Sequence, residues 1–283
     1  MKVTTAVIFA SGFGSRMLPV TAAVQKDLLP ILDRPCIDYI VEDCLKAGIR
    51  NFIFTIRPGS HDLQDYYVGN PVLESHLRRY HKDKALAELH KIHQQATFNF
   101  VEQTADAGYG TAVPLIVAIP HLPKDSAVLV SSGDELIWRE DGGSNMADLV
   151  KVFQDSGAEG AITGLEQPQD MLHKYGVLEI EQKDGHEYLD GFVEKPESGQ
   201  EPSNLANVSK YIMTPTLLSY VLEVKPDPKS QEYYVTDAVR DAAKQHKVAV
   251  SRAKGEYLDC GSVKGWLHAN LVVAKSRPEL NID

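Results

Sequence analysis

The amino-acid sequence predicts an α/β fold in which helices flank a mainly parallel central sheet. Residues 4–9 form an apolar, β-branched run typical of a buried strand, residues 35–47 have helical periodicity, and residues 51–56 indicate a second strand. A strand–loop–helix–strand order of this kind builds parallel sheets. Strand and helix patterns then alternate along most of the chain without an internal repeat or a linker, so we expect one domain over residues 1–283.

The individual elements follow from apolar periodicity and from the residues that begin and end them. Pro35 and Gly48 bound the first helix, as proline at a helix start and glycine after a helix end commonly do. Residues 62–95 are polar with an intermittent apolar face, which predicts a mostly helical insertion. Further strands are predicted over residues 97–102, 127–131, 161–165, 175–180, 193–196, 207–213 and 248–253, and further helices over residues 112–119, 145–156, 214–224, 236–245 and 263–274.

Composition argues against two classes of partner and indicates a compartment. The formal net charge of −10 argues against nucleic acid, because nucleic-acid-binding surfaces are usually basic. No apolar run approaches the roughly 20 residues that span a bilayer, and residues 1–5 lead into a strand without a signal-peptide pattern, so no membrane partner is expected. The three cysteines, Cys36, Cys44 and Cys260, form no C-x-x-C pair, which favours a reducing, cytoplasmic setting.

The segment after the first strand has the features of a phosphate-binding loop. Gly12 and Gly14 lie where the chain turns, and glycines let backbone N–H groups approach a ligand closely. Arg16 and Lys26 follow, and a row of amides with two cations suits a polyphosphate. The spacing matches neither the Walker lysine loop nor the dinucleotide fingerprint, and a plain strand-to-loop turn is the alternative. The residues alone therefore predict a phosphate loop at the carboxyl end of the first strand.

An acidic pair follows the strand predicted at residues 127–131. Asp134 and Glu135, preceded by Gly133, lie where open α/β sheets bind ligands, at the carboxyl ends of strands. A carboxylate there is suited to Mg²⁺, a hard ion that prefers oxygen ligands and often bridges carboxylates to phosphates. A strand-end turn with a surface aspartate is the alternative interpretation of the same residues.

A longer signature runs through residues 12–35, which are G-F-G-S-R-M-L-P-V-T-A-A-V-Q-K-D-L-L-P-I-L-D-R-P. This string resembles the pattern G-x-G-(S/T)-R-x-x-P, then K, then L-P, of the sugar-nucleotide pyrophosphorylases. The chain is most similar to the bacterial UTP–glucose-1-phosphate uridylyltransferases, with the glucose-1-phosphate thymidylyltransferases as near relatives, and the resemblance covers essentially the whole chain. It implies a Rossmann-like nucleotidyltransferase fold and an enzyme that uses Mg²⁺ to make UDP-glucose and pyrophosphate from UTP and glucose 1-phosphate.

The resemblance implies which residues of the opening loop bind the nucleotide. Gly12, Gly14 and Arg16 match the part of the signature that holds the triphosphate. Lys26 matches the lysine that stabilises charge at the α-phosphate. The negative net charge of the chain means that a bound polyphosphate needs such locally concentrated cations.

The metal ligands implied by the resemblance are two aspartates that lie far apart in the sequence. Asp134 matches the aspartate of the family's G-D-D or G-D-x motif, although Glu135 replaces the commoner second aspartate. Asp259, in Asp259-Cys260-Gly261, matches the D-C-G stretch of the uridylyltransferases, where the thymidylyltransferases usually have D-T-G. Both carboxylates are therefore expected to bind Mg²⁺.

Two further groups of residues are implied to bind the base and the sugar phosphate. Gln103 and the run that begins at Gly108 match the family's Q…G-x-G-x-A segment, and a glutamine amide can both donate to and accept from the uracil edge. Lys195 matches the lysine of the V-E-K-P motif that holds the sugar phosphate, and Glu194 the residue that accepts hydrogen bonds from sugar hydroxyls. Gly176 matches a position that abuts the sugar.

Departures from the family pattern leave alternatives open. Ala22 replaces the first lysine of the uridylyltransferase loop and makes that stretch look thymidylyl-like, Thr111 replaces a histidine, and Ser209-Lys210 replaces Gly-Arg. The alternatives are an enzyme that uses dTTP, one that uses another hexose 1-phosphate, and a catalytically weak paralogue, which would require lost metal ligands. A dinucleotide-binding oxidoreductase is disfavoured, since no G-x-G-x-x-G is present. A homo-oligomer, a dimer or tetramer, is expected.

Overall fold

A mixed nine-stranded β-sheet organises the fold in this computed structural model, which describes residues 1–277 and 279. Within those residues the strands are β1 (Val3–Ala10), β2 (Pro30–Ile31), β3 (Arg34–Pro35), β4 (Asn51–Ile56), β5 (Thr97–Glu102), β6 (Ala127–Ser132), β7 (Glu135–Trp138), β8 (Gly160–Glu166), β9 (Gly176–Lys183), β10 (His186–Glu194), β11 (Leu205–Met213), β12 (Val248–Arg252) and β13 (Glu256–Asp259). The α-helices are α1 (Cys36–Lys46), α2 (Asp62–Tyr67), α3 (Pro71–Arg79), α4 (Asp83–His93), α5 (Val113–Ala118), α6 (Asn145–Ser156), α7 (Pro215–Glu223), α8 (Val235–Ala243) and α9 (Val263–Lys275).

The N-terminal half of the sheet is parallel, as the sequence predicts. Its strands follow the order β5-β4-β1-β6, and each neighbouring pair is parallel. On the central strand, Val7 is in register with Ile53 of β4 and with Val130 of β6. All three side chains are buried, because helices cover this parallel sheet on both faces. The carboxyl ends of β1 and β6 therefore meet at one edge of the sheet.

The other half of the sheet corrects the prediction of a mainly parallel arrangement. The order continues β11-β8-β12-β10-β9, and β11 runs antiparallel to both β6 and β8. Strands β9 and β10 form an antiparallel hairpin, because the two-residue turn Asp184-Gly185 adopts positive φ at both positions. An Asp-Gly turn between alternating runs is a strong hairpin signal, so the mixed character was partly encoded locally.

Helices on the two faces of the sheet form two apolar cores. The side chains of β1 alternate between them, since Ala6 and Ile8 join one core while Val7 joins the other. The first core contains apolar side chains of α1, α6 and α9, and the second those of α5, α7 and α8. The α/β class and the three-layer arrangement follow from this alternation.

The polar insertion is helical, as predicted, and consists of α2, α3 and α4. Tyr67 at the end of α2 is buried and stacks on Phe54 and Phe98, with ring centroids 5.0 Å and 4.6 Å away, so the start of the insertion is anchored to the sheet. No helix in the described part of the chain is long and apolar enough to cross a membrane.

A small two-stranded ribbon, β7 with β13, was missed by sequence reasoning. Its antiparallel register places Asp259 opposite Glu135 and Leu258 opposite Leu136. Each strand has only four residues, and the partners are distant in the sequence, so neither segment has a distinct periodic pattern. The ribbon matters because it brings the end of β13 to the end of β6.

Candidate active site

The loop after β1 wraps around the side chain of Lys26. It contains three short 3₁₀ turns between Ser15 and Leu28. Gly14 has φ +66°, and a Cβ there would lie 2.9 Å from the Thr21 methyl and 3.1 Å from Lys26 Cβ. A Cβ on Gly12 would lie 3.1 Å from Lys26 Cε. Gly14 is thus favoured by both its positive φ and the lack of space, and Gly12 lets the loop backbone approach the end of the lysine side chain closely.

Lys26 forms a buried ion pair with Asp134. Its Nζ lies 2.5 Å from Asp134 Oδ2, and Asp134, only 4% exposed, also accepts a 2.6 Å hydrogen bond from Ser132 Oγ. Burial alone would raise the pKa of Asp134, but the Lys26 ammonium outweighs it, so the pKa is lowered and the carboxylate stays ionised. Burial likewise opposes the charge on Lys26, but Asp27 and Asp134 raise its pKa above the ordinary value.

A buried polar network behind Lys26 was missed by sequence reasoning. Gln25 and Asp27 are fully buried, and Gln25 Nε2 donates to Ala10 O at 3.0 Å and to Asp27 Oδ2 at 3.2 Å. Ser60 Oγ donates to Gln25 Oε1 at 3.0 Å. The network joins the end of β1 to the segment after β4 and holds the Lys26 backbone on both sides. The available signal was the polar pair that flanks Lys26 in an otherwise apolar stretch.

The cost of burying the Asp27 carboxylate is only partly offset by its hydrogen bond and by the Lys26 ammonium. Among the described residues, Asp27 Oδ1 has no hydrogen-bond partner, and it lies 3.8 Å from Lys26 Nζ. Burial therefore raises the pKa of Asp27 to about 6, against the attraction of Lys26.

We expect Asp27 to make the protein lose stability as the pH rises from about 4 to about 6, because the native state there keeps a proton that the unfolded state releases. The size of this effect is about 3 kcal/mol in the free energy of unfolding. Asp27→Asn, which cannot ionise, should abolish it. Chemical denaturation across this pH range measures the difference. The exposed Asp125→Asn is the control and should follow wild type, whereas parallel curves for wild type and Asp27→Asn would contradict the prediction.

Asp259 and Arg16 converge with Asp134 on the backbone of Gly261. Arg16 Nη1 lies 3.3 Å from Asp259 Oδ2, and Gly261 N donates to Asp259 Oδ1 at 2.9 Å. A Cβ on Gly261 would lie 2.6 Å from both Arg16 Nη2 and Asp134 Oδ2, and 3.1 Å from Asp259 Oδ1. The structure thus brings together the four residues that the resemblance implies are catalytic.

The two carboxylates fit the requirements of Mg²⁺. Asp134 and Asp259 offer carboxylate oxygens close to Gly261, and the neighbouring cations Arg16 and Lys26 suit the binding of phosphate. Mg²⁺ is usually bound by one or two carboxylates together with waters and substrate phosphates. Among residues 1–277 and 279, no group of three or more acidic, histidine or cysteine side chains could form an all-protein cage. The donor set therefore suits an ion shared with a polyphosphate.

The residues predicted for the base lie beside the opening loop. Ser11 Oγ donates to Gln103 Oε1 at 2.6 Å, and Gln103 Nε2 donates to Gly108 O at 3.4 Å. Gly110, with φ +122°, packs so closely on the backbone of Tyr233 that a Cβ would lie 2.4 Å from it. Gln103 is thus held at the junction of the loop after β1 and the loop after β5. Thr111, which replaces the family's histidine, accepts a 3.1 Å hydrogen bond from Val235 N at the start of α8.

The residues predicted for the sugar phosphate lie at one end of the β9–β10 hairpin. Gly176 is in register with Glu194, and a Cβ on Gly176 would lie 2.9 Å from Glu194 Oε2. Lys195 Nζ lies 3.6 Å from Glu194 Oε1, and both side chains are about two-thirds exposed. The rings of Tyr175 and Tyr257 pack edge to face, with centroids 6.0 Å apart. Tyr257 lies on β13, so this contact connects the residues predicted for the sugar phosphate to the strand that carries Asp259.

A partly open cavity of about 170 Å³ lies elsewhere, between α1 and β7. Tyr39, Trp138 and Lys210 are among the residues that line it, and none of the predicted site residues does. The candidate active site is defined by converging charged groups and closely approached glycines rather than by this cavity.

The chain is similar to known proteins along almost its full length. The model of the nucleotidyl transferase family matches residues 5–276. A UTP–glucose-1-phosphate uridylyltransferase from Staphylococcus epidermidis is 31% identical over 100% of this chain and 96% of its own length, and one from Bacillus subtilis is 31% identical over 99% and 94%. A solved UDP-glucose pyrophosphorylase in complex with UDP-glucose is 28% identical and superposes with a TM-score of 0.84 over 98% of this chain and 100% of its own. A UTP-bound enzyme of this kind from Acinetobacter baumannii is 26% identical, with a TM-score of 0.87 over 99% and 96%.

Proposed function

This chain belongs to the nucleotidyl transferase family, and on that premise we propose that it makes UDP-glucose and pyrophosphate from UTP and glucose 1-phosphate as a UTP–glucose-1-phosphate uridylyltransferase. The observation that carries the proposal is the convergence of Arg16, Lys26, Asp134 and Asp259 around Gly261, in a chain that matches uridylyltransferases along its full length. A catalytically weak paralogue would require lost metal ligands, and both aspartates are present.

The reaction is an in-line displacement at phosphorus. A phosphate oxygen of glucose 1-phosphate attacks the α-phosphorus of UTP, the new O–P bond forms, and the bond to the β-phosphate oxygen breaks as pyrophosphate leaves. Such a transfer depends on positioning and charge neutralisation more than on covalent chemistry. Lys26, whose ammonium is stabilised by two carboxylates, neutralises charge at the α-phosphate. Arg16 and the amides of the glycine loop bind the other phosphates.

Asp134 and Asp259 are the residues that would hold Mg²⁺. The lowered pKa of Asp134 supports this role, because only the ionised carboxylate is a metal ligand. When bound, Mg²⁺ supplies a positive charge that orients the triphosphate and offsets the charge of the leaving pyrophosphate. The short backbone segment at Gly261 keeps the two carboxylates near one another without an intervening side chain.

The sugar phosphate and the base are bound by the two flanking groups. Lys195 pairs with the monoester phosphate, Glu194 accepts hydrogen bonds from sugar hydroxyls, and Gly176 leaves room for the sugar beside that carboxylate. Gln103 binds the uracil edge through its amide, which both donates and accepts. Its 3.4 Å bond to Gly108 O is long, so the amide can exchange that partner for the base at little cost.

A pyrophosphate-release assay over a grid of nucleotides and hexose 1-phosphates tests the proposal. UTP with glucose 1-phosphate should give the highest kcat/KM. We expect dTTP to be a poorer but detectable substrate, because a methyl-sized difference in a binding pocket discriminates by only about 1–3 kcal/mol. Activity with dTTP equal to or above that with UTP would instead indicate a thymidylyltransferase, and no turnover with any pair would indicate a catalytically weak paralogue.

Lys195→Ala should raise the KM for glucose 1-phosphate about 10-fold or more, because it removes the proposed partner of the monoester phosphate. The KM for UTP should change far less. Steady-state kinetics with each substrate varied in turn separate the two effects. Lys183→Ala removes an exposed lysine at the opposite end of β9 and is the matched control. A defect confined to UTP would assign Lys195 to the triphosphate.

We further propose that the enzyme is a cytoplasmic homo-oligomer, either a dimer or a tetramer. All three cysteines are free thiols and buried, which supports a reducing compartment. Light scattering on the purified protein would give the number of subunits.

A further inference from the structure

Lys210 is a buried lysine that the proposed reaction does not use. It lies on β11, opposite Ser131 of β6, and is only 2% exposed. Its Nζ donates to Glu135 O at 2.9 Å and to Val208 O at 3.4 Å. Both acceptors are backbone carbonyl oxygens rather than carboxylates. Burying an ammonium is costly, although the nearby carboxylates of Glu135 and Asp43 offset part of that cost, and strongly perturbed charges cluster at functional sites.

A distortion of β11 accompanies this placement of Lys210. The register with β8 shifts between Asn207 and Tyr211, and Ser209 has φ +53°, a conformation that favours glycine. Asn207 stabilises the distortion, since its Oδ1 accepts from Ser209 N at 3.1 Å and its Nδ2 donates to Tyr211 Oη at 2.8 Å. Bulges beside active sites commonly redirect a single side chain. Here the redirected side chain is that of Lys210, which reaches the carbonyl oxygen of Glu135.

The Glu135 carbonyl belongs to the corner where β6 ends and β7 begins. The preceding carbonyl, that of Asp134, accepts a 2.9 Å hydrogen bond from Cys260 N, next to Asp259. Glu135 is also the register partner of Asp259 in the ribbon. Two successive carbonyls of the corner are therefore fixed, one by Lys210 and one by the segment that carries the second carboxylate.

We propose that Lys210 is a positioning residue for the metal site. Its ammonium fixes the backbone of the Asp134–Glu135 corner through the hydrogen bond to Glu135 O, and thereby sets the spacing between the Asp134 and Asp259 carboxylates. The inference rests on the proposed function, since it takes these two aspartates as Mg²⁺ ligands. Mg²⁺ requires near-ideal geometry at short oxygen distances, so a small shift of one carboxylate weakens binding. Groups that orient metal ligands from behind typically change metal affinity about 10- to 100-fold when removed.

Lys210→Met tests this proposal, because it keeps the length of the side chain and removes the N–H donors. With Mn²⁺ as the probe, the free-ion EPR signal gives the metal affinity of the enzyme saturated with UDP-glucose. We expect Lys210→Met to weaken Mn²⁺ binding about 10- to 100-fold, while at saturating Mg²⁺ the KM for glucose 1-phosphate stays within about 3-fold. Amide hydrogen exchange at Cys260 should become faster even without metal, because the corner that accepts its hydrogen bond is loosened.

Two variants act as controls. Lys210→Arg keeps the charge and the donors, so it should hold Mn²⁺ affinity within about 3-fold of wild type. Thr163→Val on β8 removes a buried hydroxyl that has no hydrogen-bond partner in the described part of the chain, and it should change neither readout. If Lys210→Met does not fold, Lys210→Leu, which likewise has no N–H donor, replaces it under the same criteria.

Asp134→Asn separates failure of this inference from failure of the proposed function. Loss of Mn²⁺ binding in Asp134→Asn together with wild-type affinity in folded Lys210→Met would overturn the role of Lys210 alone. Wild-type Mn²⁺ affinity in Asp134→Asn would overturn the metal site itself, and with it the inference.

Discussion

Asp134→Asn and Asp259→Asn are each expected to lower turnover at least about 100-fold, which corresponds to about 3 kcal/mol of transition-state stabilisation. Each change removes a proposed negative metal ligand while leaving the side-chain volume almost unchanged, and Asp27 remains as a counter-charge for Lys26 in Asp134→Asn, so the fold should persist. The loss should be larger for Asp134, because this carboxylate is buried and also pairs with Lys26 at 2.5 Å, whereas Asp259 is partly exposed and pairs with Arg16 at 3.3 Å.

The measurement is kcat at saturating UTP, glucose 1-phosphate and Mg²⁺, with circular dichroism to verify folding. Asp125→Asn makes the same chemical change at an exposed turn and should retain wild-type turnover. Turnover within about five-fold of wild type for either aspartate variant would remove that residue from the site.

Lys26→Met is expected to lower kcat about 100- to 1,000-fold, because it removes the cation proposed to neutralise the α-phosphate. It should also destabilise the protein by about 3–5 kcal/mol near neutral pH, since Asp27 and Asp134 would be left buried without their shared counter-charge.

The destabilisation by Lys26→Met should depend on pH in a defined direction. Without the ammonium, burial raises the native-state pKa of both carboxyls above the unfolded values. Stability relative to wild type is then best at low pH, where both are protonated, and falls as the pH rises. Chemical denaturation at about pH 5 and about pH 8 tests this sign. The double variant Lys26→Met/Asp134→Asn should recover part of the loss, and a deficit that is constant with pH and unrelieved in the double variant would contradict the ion-pair account.

Much of the fold was predictable because its elements are locally encoded. The strands Asn51–Ile56 and Thr97–Glu102 and the helix Asn145–Ser156 have the predicted bounds. In each, apolar periodicity is strong and polar or turn-forming residues mark the ends. The mixed sheet was not predicted, because strand direction in β11 and β10 depends on which neighbours pair, and pairing is a long-range property.

Some residues of the candidate site could likewise be predicted from the sequence, and others could not. Arg16, Lys26 and Asp134 could be proposed from the glycine loop and the strand end, because phosphate and Mg²⁺ chemistry restricts which side chains can serve. Asp259 was proposed only from the resemblance to the family's motifs. Gln25 and Asp27 could not be given a role, because nothing local indicates that both are fully buried. Their function as a support behind Lys26 is visible only once the backbone of Ala10 and the side chain of Ser60 are in place.

The sequence by itself determined the α/β class, the parallel N-terminal half of the sheet and the family, and it supplied the residues predicted for the site. Only the tertiary structure decided the geometry: the β7–β13 ribbon that brings Asp259 to Asp134, and the distorted β11 that places Lys210 behind that corner. The reason is physical. Local propensity and periodicity act over a few residues, whereas the position of a carboxylate or a buried ammonium depends on contacts between segments that meet only when the sheet has formed.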